Sequence, residues 1–283
     1  MSILRKCAQS IRHLPGLNRA EWLWAFLRKP YLWLLNSRGA GVSINVGLAA
    51  HVKMPAEFVG YNWEEFEPES VSALANWLRS NPNALVLDVG SSIGVFSLVA
   101  LSSSEACQVV AFDSDLASIL AAQRFCSYVK GNRLRLIRGF VSNESTLGTS
   151  LDTAVNSTKE DMQKTALDGK DLPTRYICLT QRSEETIQTY SLDDLFASPW
   201  TPQGPVLLKC DVEGAELLVL QGAERLLSEY SPTLLLSVHP PALPSYGHSV
   251  ADVRQFLESH GYSVKLIATD HEEHWWCERN PRC

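Results

Sequence analysis

The stretch Leu87-Asp88-Val89-Gly90-Ser91-Ser92-Ile93-Gly94 decides the fold of this chain. It closes an apolar run that begins at Ala84, and such a run predicts a buried strand. The two glycines permit positive φ angles and a close approach of the backbone to a ligand. A helix is predicted from Gly94 to Leu101. In an open α/β sheet, a turn of this kind lies at the carboxyl ends of the strands, where ligands bind.

The spacing of the glycines argues against two common nucleotide-binding loops. The dinucleotide fingerprint G-x-G-x-x-G would need glycines where the chain has Ser92 and Val95. The Walker loop needs a lysine directly after its last glycine, and here Val95 follows Gly94. An acid, Asp113, ends the next predicted strand. A carboxylate at that point can accept hydrogen bonds from two neighbouring hydroxyls of a ligand.

Strands and helices alternate along the rest of the chain. Helical patterns begin near residues 114, 214 and 250, and apolar runs predict strands at 107–112, 133–138, 206–212, 233–238, 262–267 and 274–278. Alternation of this kind is typical of a mostly parallel sheet with helices on both faces. A hairpin within 39–53 and a helix over 68–78 come before this core, and we expect them to cover the sheet.

We expect two regions: an N-terminal extension and cap over residues 1–80, and one α/β domain over 81–283. Residues 142–173 are rich in Ser, Thr, Asn, Asp and Lys and have little periodicity. This composition predicts a long, flexible surface insertion. An extra strand is predicted at its far side, over residues 176–181.

The N-terminal residues 1–36 combine basic residues with tryptophans and leucines. Their apolar runs are shorter than the roughly 20 residues that span a bilayer. We expect a helical extension that packs on the domain or on a partner subunit. The alternative is peripheral contact with an anionic membrane surface.

Composition limits the class of partner and the compartment. The chain has 283 residues, 45% of them hydrophobic and 20% charged, with a formal net charge of -6. That balance disfavours a nucleic-acid partner, which would require a basic surface. The seven cysteines include no C-x-x-C pair, so reduced core cysteines in a cytoplasmic protein are predicted.

A second set of motifs narrows the family. The stretch Leu208-Lys209-Cys210-Asp211-Val212-Glu213-Gly214-Ala215-Glu216 is followed by an L-x-G-A helix at 220–223 and a strand that ends in His239. With the D-x-G-x-x-x-G loop, this series resembles the FkbM family of S-adenosylmethionine (SAM) dependent methyltransferases. The resemblance covers about residues 55–240 and includes the segments 66–69 and 191–195. The chain departs from the family at Ser91-Ser92, where Ala-Asn is usual, at Asp113-Ser114, where Glu-Pro is usual and Asp keeps the charge, and at Ser237, where Glu is usual.

The resemblance implies an α/β fold of the class I methyltransferase type. Its Rossmann-like sheet would be mostly parallel, with an antiparallel closing strand and helices on both faces. It also implies SAM as cofactor and methylation of a hydroxyl on a sugar, glycan or natural-product intermediate. The implied cofactor-binding residues are Asp88, Gly90, Ser91, Gly94, Asp113 and Ser114.

The candidates for catalysis are His239, Asp211 and Glu213, which all follow predicted strands. A histidine with its ordinary pKa of about 6.5 would suit the removal of a hydroxyl proton near neutrality. Asp211 could do the same work or position the acceptor. Asp211, Glu213 and His239 could also bind a divalent ion, but they lack tight spacing, so no metal site is predicted. Two alternatives are a SAM-binding scaffold without catalysis, suggested by the departures at Ser91-Ser92 and Ser237, and an NAD-dependent enzyme, disfavoured by the glycine spacing.

Overall fold

The computed structural model describes residues 41–146, 149–167, 187–197 and 201–280. The predictions for residues 1–36 and for the strand at 176–181 lie outside this part of the chain. Within it, every helix is too short or too polar to cross a bilayer.

The described residues form eleven strands and eight α-helices. In chain order these are β1 (Val42–Val46), β2 (Ala50–Met54), α1 (Pro68–Ser80), β3 (Leu85–Val89), α2 (Val95–Ser103), β4 (Gln108–Asp113), α3 (Leu116–Phe125), β5 (Leu134–Arg138), β6 (Phe140–Val141), α4 (Leu151–Leu167), β7 (Thr189–Tyr190), α5 (Leu192–Leu195), β8 (Val206–Asp211), α6 (Glu216–Gln221), α7 (Glu224–Tyr230), β9 (Thr233–Val238), α8 (Val250–Ser259), β10 (Tyr262–Thr269) and β11 (Glu273–Arg279).

Seven strands form one sheet in the order β10-β11-β9-β8-β3-β4-β5. The five strands from β9 to β5 are parallel, and β11 is antiparallel to both of its neighbours. This arrangement confirms the predicted fold class. The chain moves outward from β3 to β5 and then returns to β8 on the other side of β3. The carboxyl ends of β3 and β8 therefore form the switch point at which open α/β sheets bind ligands.

Two apolar cores cover the two faces of the sheet, because successive side chains of a strand point to opposite faces. One core joins the sheet to the β1–β2 hairpin, α1, α2 and the end of α3. The other joins it to helices α4 to α8. In α1, Pro68 occupies the first turn, and Val71, Leu74 and Leu78 are buried against the sheet. The predicted cap over the sheet is thus part of the first core.

Two of the predicted elements differ from the structure. Residues 151–167 of the predicted insertion form α4, which buries Leu151, Ala154 and Val155. Thr158 and Met162 are buried on the same face, at helical spacing from these three, although the polar composition hid the pattern. The single helix predicted over 214–227 is two helices, α6 and α7. A side chain at Gly222, between them, would lie 2.0 Å from the carbonyl oxygen of Ser142.

Candidate active site

The glycine loop, residues 90–94, is fastened to the end of β4. The backbone N–H groups of Gly90 and Ser91 both donate to the carbonyl of Phe112, at 3.0 and 2.9 Å. The loop has three positive φ angles: 78° at Gly90, 48° at Ser92 and 81° at Gly94. Serine rarely adopts that region, so the loop holds a strained residue at Ser92, as functional sites often do.

Gly90 is required by a contact within the protein. A Cβ atom at this position would lie 1.7 Å from the backbone carbonyl oxygen of Asp211. The space expected beside this glycine for a ligand is therefore filled by the end of β8. The contact brings the glycine loop and Asp211 together at the switch point.

Asp113 closes the loop on its other side. Its Oδ2 accepts the N–H of Ser92 at 2.8 Å, and its Oδ1 accepts the N–H of Asp115 at 2.9 Å. Burial raises the pKa of Asp113 to about 6, and these two hydrogen bonds act in the opposite direction. An ionised carboxylate offers about four acceptor positions, so two remain for a ligand.

The other predicted cofactor-binding residues differ in burial and in what their side chains contact. The Asp88 carboxylate is buried, and one of its oxygens accepts the hydroxyl of Ser97 at 2.6 Å. Burial raises the pKa of Asp88. Ser91 is buried, and its hydroxyl forms no hydrogen bond with the part of the chain described. Ser114 is half-buried directly after Asp113. Asp88 thus links β3 to α2, whereas the Ser91 hydroxyl has no partner among the described residues.

His239 lies at the centre of a carboxylate cluster. Its Nδ1 is 2.8 Å from Oε1 of Glu216, and its Nε2 is 2.5 Å from Oε2 of Glu272. Oδ1 of Asp211 and Oε2 of Glu213 each lie 3.6 Å from Nε2. The three predicted catalytic residues are therefore close together, as their positions after strands suggest.

The surroundings of His239 do not fit the expected neutral base. Burial alone would lower its pKa, but the hydrogen bonds with Glu216 and Glu272 and the charge of Asp211 raise it to about 10. The ring is almost fully buried, and both of its nitrogens already have carboxylate partners. An incoming hydroxyl would find neither nitrogen free to accept its proton.

Lys209 pairs with Asp211 beneath the cluster. Its side chain is 1% exposed, and its Nζ lies 3.2 Å from Oδ2 of Asp211 and 2.7 Å from the hydroxyl of Ser237. The same ammonium lies 4.8 Å from the centre of the Phe96 ring. Burial would lower the pKa of Lys209, but the carboxylates of Asp211, Glu67 and Asp88 raise it. The ammonium therefore pairs with Oδ2 of Asp211 and leaves its Oδ1 on the side of His239.

Four residues in or beside the cluster were missed by the sequence reasoning: Glu216, which was quoted in the motif without a role, and Glu67, Glu272 and His274. Glu272 and His274 come from the turn before β11 and from its first residues, and Glu67 comes from the residue before α1. Glu67 has a φ of 32°, and burial raises its pKa to about 7. The available signal was the run Asp270-His271-Glu272-Glu273-His274, in which every residue is titratable.

Strand pairing explains why these residues meet. Residues Val238 and Ser237 of β9 pair with Glu273 and His274 of β11. Because β11 is antiparallel, its first residues lie at the carboxyl end of β9, next to His239. Glu213, by contrast, has a φ of 53° and a side chain that is 83% exposed, so it lies at the rim of the cluster.

A cavity of about 870 Å³ lies elsewhere in the described structure. It is lined by the first residues of β3 and β4, including Leu85 and Gln108, and by the start of α4. None of the predicted site residues lines it, because these strands begin at the opposite edge of the sheet. We therefore place the candidate active site at the carboxyl edge of the sheet, where the carboxylate cluster lies, and not in this cavity.

Comparison with known proteins gives one family and several similar folds. The model of the methyltransferase FkbM domain matches residues 88–264, more than half of the chain. None of the curated proteins matches this sequence. A solved FkbM methyltransferase from Methylobacillus flagellatus KT is 17% identical with a TM-score of 0.44, covering 69% of this chain and 43% of its own.

Two further solved structures are similar to the chain. TYW2 of M. jannaschii, solved in complex with AdoMet, is 13% identical with a TM-score of 0.42, over 85% of this chain and 88% of its own. A putative O-methyltransferase from Klebsiella pneumoniae is 13% identical with a TM-score of 0.41, over 81% and 84%. The chain spans less than half of the Methylobacillus protein.

Proposed function

Because this chain belongs to the methyltransferase FkbM family, we propose that it transfers the methyl group of SAM to a hydroxyl of a small-molecule or glycan acceptor. The observation that carries the proposal is the position of Asp211. Its carboxylate is partly exposed at the carboxyl edge of the sheet, while its own carbonyl packs on Gly90 of the glycine loop. A proton acceptor thus stands directly beside the proposed cofactor loop.

The residues around the loop suit SAM. Asp113 has two acceptor positions left for the ribose hydroxyls after its bonds with Ser92 and Asp115. The buried hydroxyl of Ser91 lacks a partner among the described residues, and such a group calls for a ligand or a water. When bound, SAM supplies a methyl group on a positively charged sulfur, which a hydroxyl oxygen can attack.

The chain would act on the acceptor by positioning it and by accepting its proton. Holding two reactants in line contributes roughly 7–11 kcal/mol to such a displacement. Oδ2 of Asp211 is engaged by Lys209, whereas Oδ1 is available for the acceptor hydroxyl. We therefore assign the base to Asp211, and assign to His239 the positioning of the carboxylates around it.

The function is tested by incubating the purified chain with methyl-labelled SAM and a panel of sugars, glycans and hydroxylated natural-product precursors. We expect a mass increase of one methyl group on at least one acceptor, at a hydroxyl oxygen. Label on a nitrogen or carbon would contradict the O-methylation. Tight binding of SAM with no transfer to any member of the panel would favour the alternative of a SAM-binding scaffold.

A pH dependence of cofactor binding follows from Asp113. Because its pKa is raised to about 6, the carboxyl becomes protonated below that pH. SAM affinity measured by calorimetry should then fall by about tenfold per pH unit below pH 6, since the ionised form makes the charge-assisted bonds.

The matched variant for this test is Asp113→Asn. It should weaken SAM binding by about 10- to 100-fold at pH 7.5, because each charge-assisted bond contributes roughly 1.5–3 kcal/mol. Its remaining affinity should not change between pH 5 and 7.5. An affinity of the unaltered chain that stays constant across this range would show that Asp113 does not bind the cofactor.

A further inference from the structure

The carboxylate cluster contains a set of side chains suited to a cation. One oxygen of Asp211, Nε2 of His239 and one oxygen of Glu272 lie within 4.8 Å of one another. Metal–ligand distances of about 2.1 Å place neighbouring ligands roughly 3–4 Å apart, so Asp211 is already at a suitable distance from Nε2, and the Glu272 oxygen would move slightly away from it when an ion binds. We propose that Asp211, His239 and Glu272 bind one divalent cation at the carboxyl edge of the sheet.

The ring of His239 is oriented for this role. Its Nδ1 is paired with Oε1 of Glu216, a carboxylate that is fully buried and also accepts the N–H of Gly214 at 2.9 Å. Metal-binding histidines usually donate their second ring nitrogen to a carboxylate in this way, which directs the first nitrogen at the metal. The ion would replace the hydrogen that now lies between Nε2 and Glu272.

A second observation is that two buried carboxylate oxygens beside the cluster lack a hydrogen-bond donor. Oε2 of Glu216 and Oε2 of Glu67 are both buried, and neither forms a hydrogen bond within the described residues. The Glu67 oxygen lies 3.5 Å from Nδ1 of His274, and Nε2 of that histidine lies 3.5 Å from Oε1 of Glu272. Buried carboxylate oxygens without donors indicate an ion or a water that satisfies them.

The donor set indicates the class of ion. Two carboxylates and one imidazole favour Mn²⁺ or Mg²⁺, whose preferred ligands are mostly oxygens and which keep several positions for water. His239 and Glu272 are buried, whereas 27% of the Asp211 side chain is exposed. The open positions of the ion therefore face the exposed side of Asp211. An acceptor hydroxyl bound there would lie next to Oδ1 of Asp211, which has a second lone pair and can bind the ion and still accept the hydroxyl proton. This role rests on the proposed function, although the binding of the ion does not.

The sequence indicates only Asp211 and His239 as possible ligands and gives no metal motif, because the ligands come from three separate segments. Asp211 ends β8, His239 follows β9, and Glu272 precedes β11. Metal motifs that can be found in a sequence have two ligands a few residues apart. The run 270–274 does contain such close pairs, but it offers a competing set, Asp270, His271 and Glu272.

The experiment measures Mn²⁺ binding to the full chain after treatment with EDTA, by electron paramagnetic resonance of the free ion and without SAM or acceptor. We expect one ion per chain. Asp211→Asn and Glu272→Gln should each weaken binding by more than about tenfold. Glu216→Gln should weaken it by about 10- to 100-fold, as substitutions behind a ligating histidine do. Mn²⁺ should also raise the unfolding temperature of the unaltered chain but not that of Asp211→Asn.

The matched control is Asp270→Asn, which removes an exposed acid from the competing set and should leave Mn²⁺ affinity unchanged. The proposal is overturned if the chain binds no Mn²⁺ at 1 mM ion, or if Asp270→Asn or Glu67→Gln abolishes binding while Asp211→Asn does not. Methyl transfer is then assayed with EDTA and with Mn²⁺. Mn²⁺ binding without any methyl transfer would contradict the proposed function alone, and transfer without Mn²⁺ binding would contradict the metal site alone.

Discussion

Replacing Asp211 by Asn should lower the single-turnover rate of methyl transfer by about 10²–10⁴, the usual contribution of a general base. The amide keeps the size of the side chain but cannot accept the hydroxyl proton. SAM affinity should change little, because the side chain lies beyond the glycine loop and only the backbone carbonyl contacts Gly90. The measurement is a rapid-quench experiment with saturating SAM and acceptor.

Two controls separate this loss from a folding defect. Asp211→Asn leaves the buried ammonium of Lys209 without its closest carboxylate, so the unfolding temperature must be recorded for the variant. Asp152→Asn removes an exposed acid from α4 and should retain full activity. Asp211→Glu should recover part of the rate, since it restores the carboxylate at a shifted position. A rate for Asp211→Asn above one tenth of the unaltered rate would mean that another group accepts the proton.

The sequence predicts well those elements whose pattern lies within a short run of adjacent residues. The strand ending at Val89 is an apolar run of adjacent residues, and the loop after it has glycines at fixed spacing. Asp113 can be assigned for the same reason, because it ends the next strand. The position of the glycine loop and of Asp113 is therefore predictable from local sequence patterns alone, whereas their binding of SAM stays a prediction.

The part of the site that we assign to the methyl acceptor, around Asp211 and His239, depends on contacts between segments that are far apart in the sequence. Glu272 meets His239 only because β11 enters the sheet antiparallel to β9, and no local pattern encodes that pairing. A sequence-based prediction does not include the contacts of His239 with Glu272 and Glu216, so it assigns to this histidine an ordinary pKa and the role of base. The same limit applies to Gly90, whose Cβ would meet the carbonyl of a residue far along the chain. Helix α4 escapes prediction for another reason, because its five buried positions, 151, 154, 155, 158 and 162, have helical spacing but lie in a stretch of polar composition.

Replacing Gly90 by Ala should destabilise the fold more than any other single methyl group added at a glycine with positive φ in the described chain. The new Cβ would lie 1.7 Å from the Asp211 carbonyl oxygen, so either the loop or the end of β8 must move. The positive φ of 78° adds roughly 1–2 kcal/mol of its own. We expect a total loss of about 4 kcal/mol or more, the range reached only by severe steric or core defects.

Gly247→Ala is the matched comparison, because this glycine has a φ of 77° but no atom within 4 Å of its added Cβ. Gly247→Ala should lower the free energy of unfolding only by the roughly 1–2 kcal/mol that a left-handed backbone conformation costs a residue with a side chain. Urea unfolding of both variants measures the difference, with the slope of the transition checked for each. Because the displaced atoms belong to Asp211, Gly90→Ala should also reduce methyl transfer in whatever fraction remains folded. Equal stabilities of the two variants would mean that the loop and β8 are not packed as described, and the assignment of Asp211 to the cofactor loop would then fall with that contact.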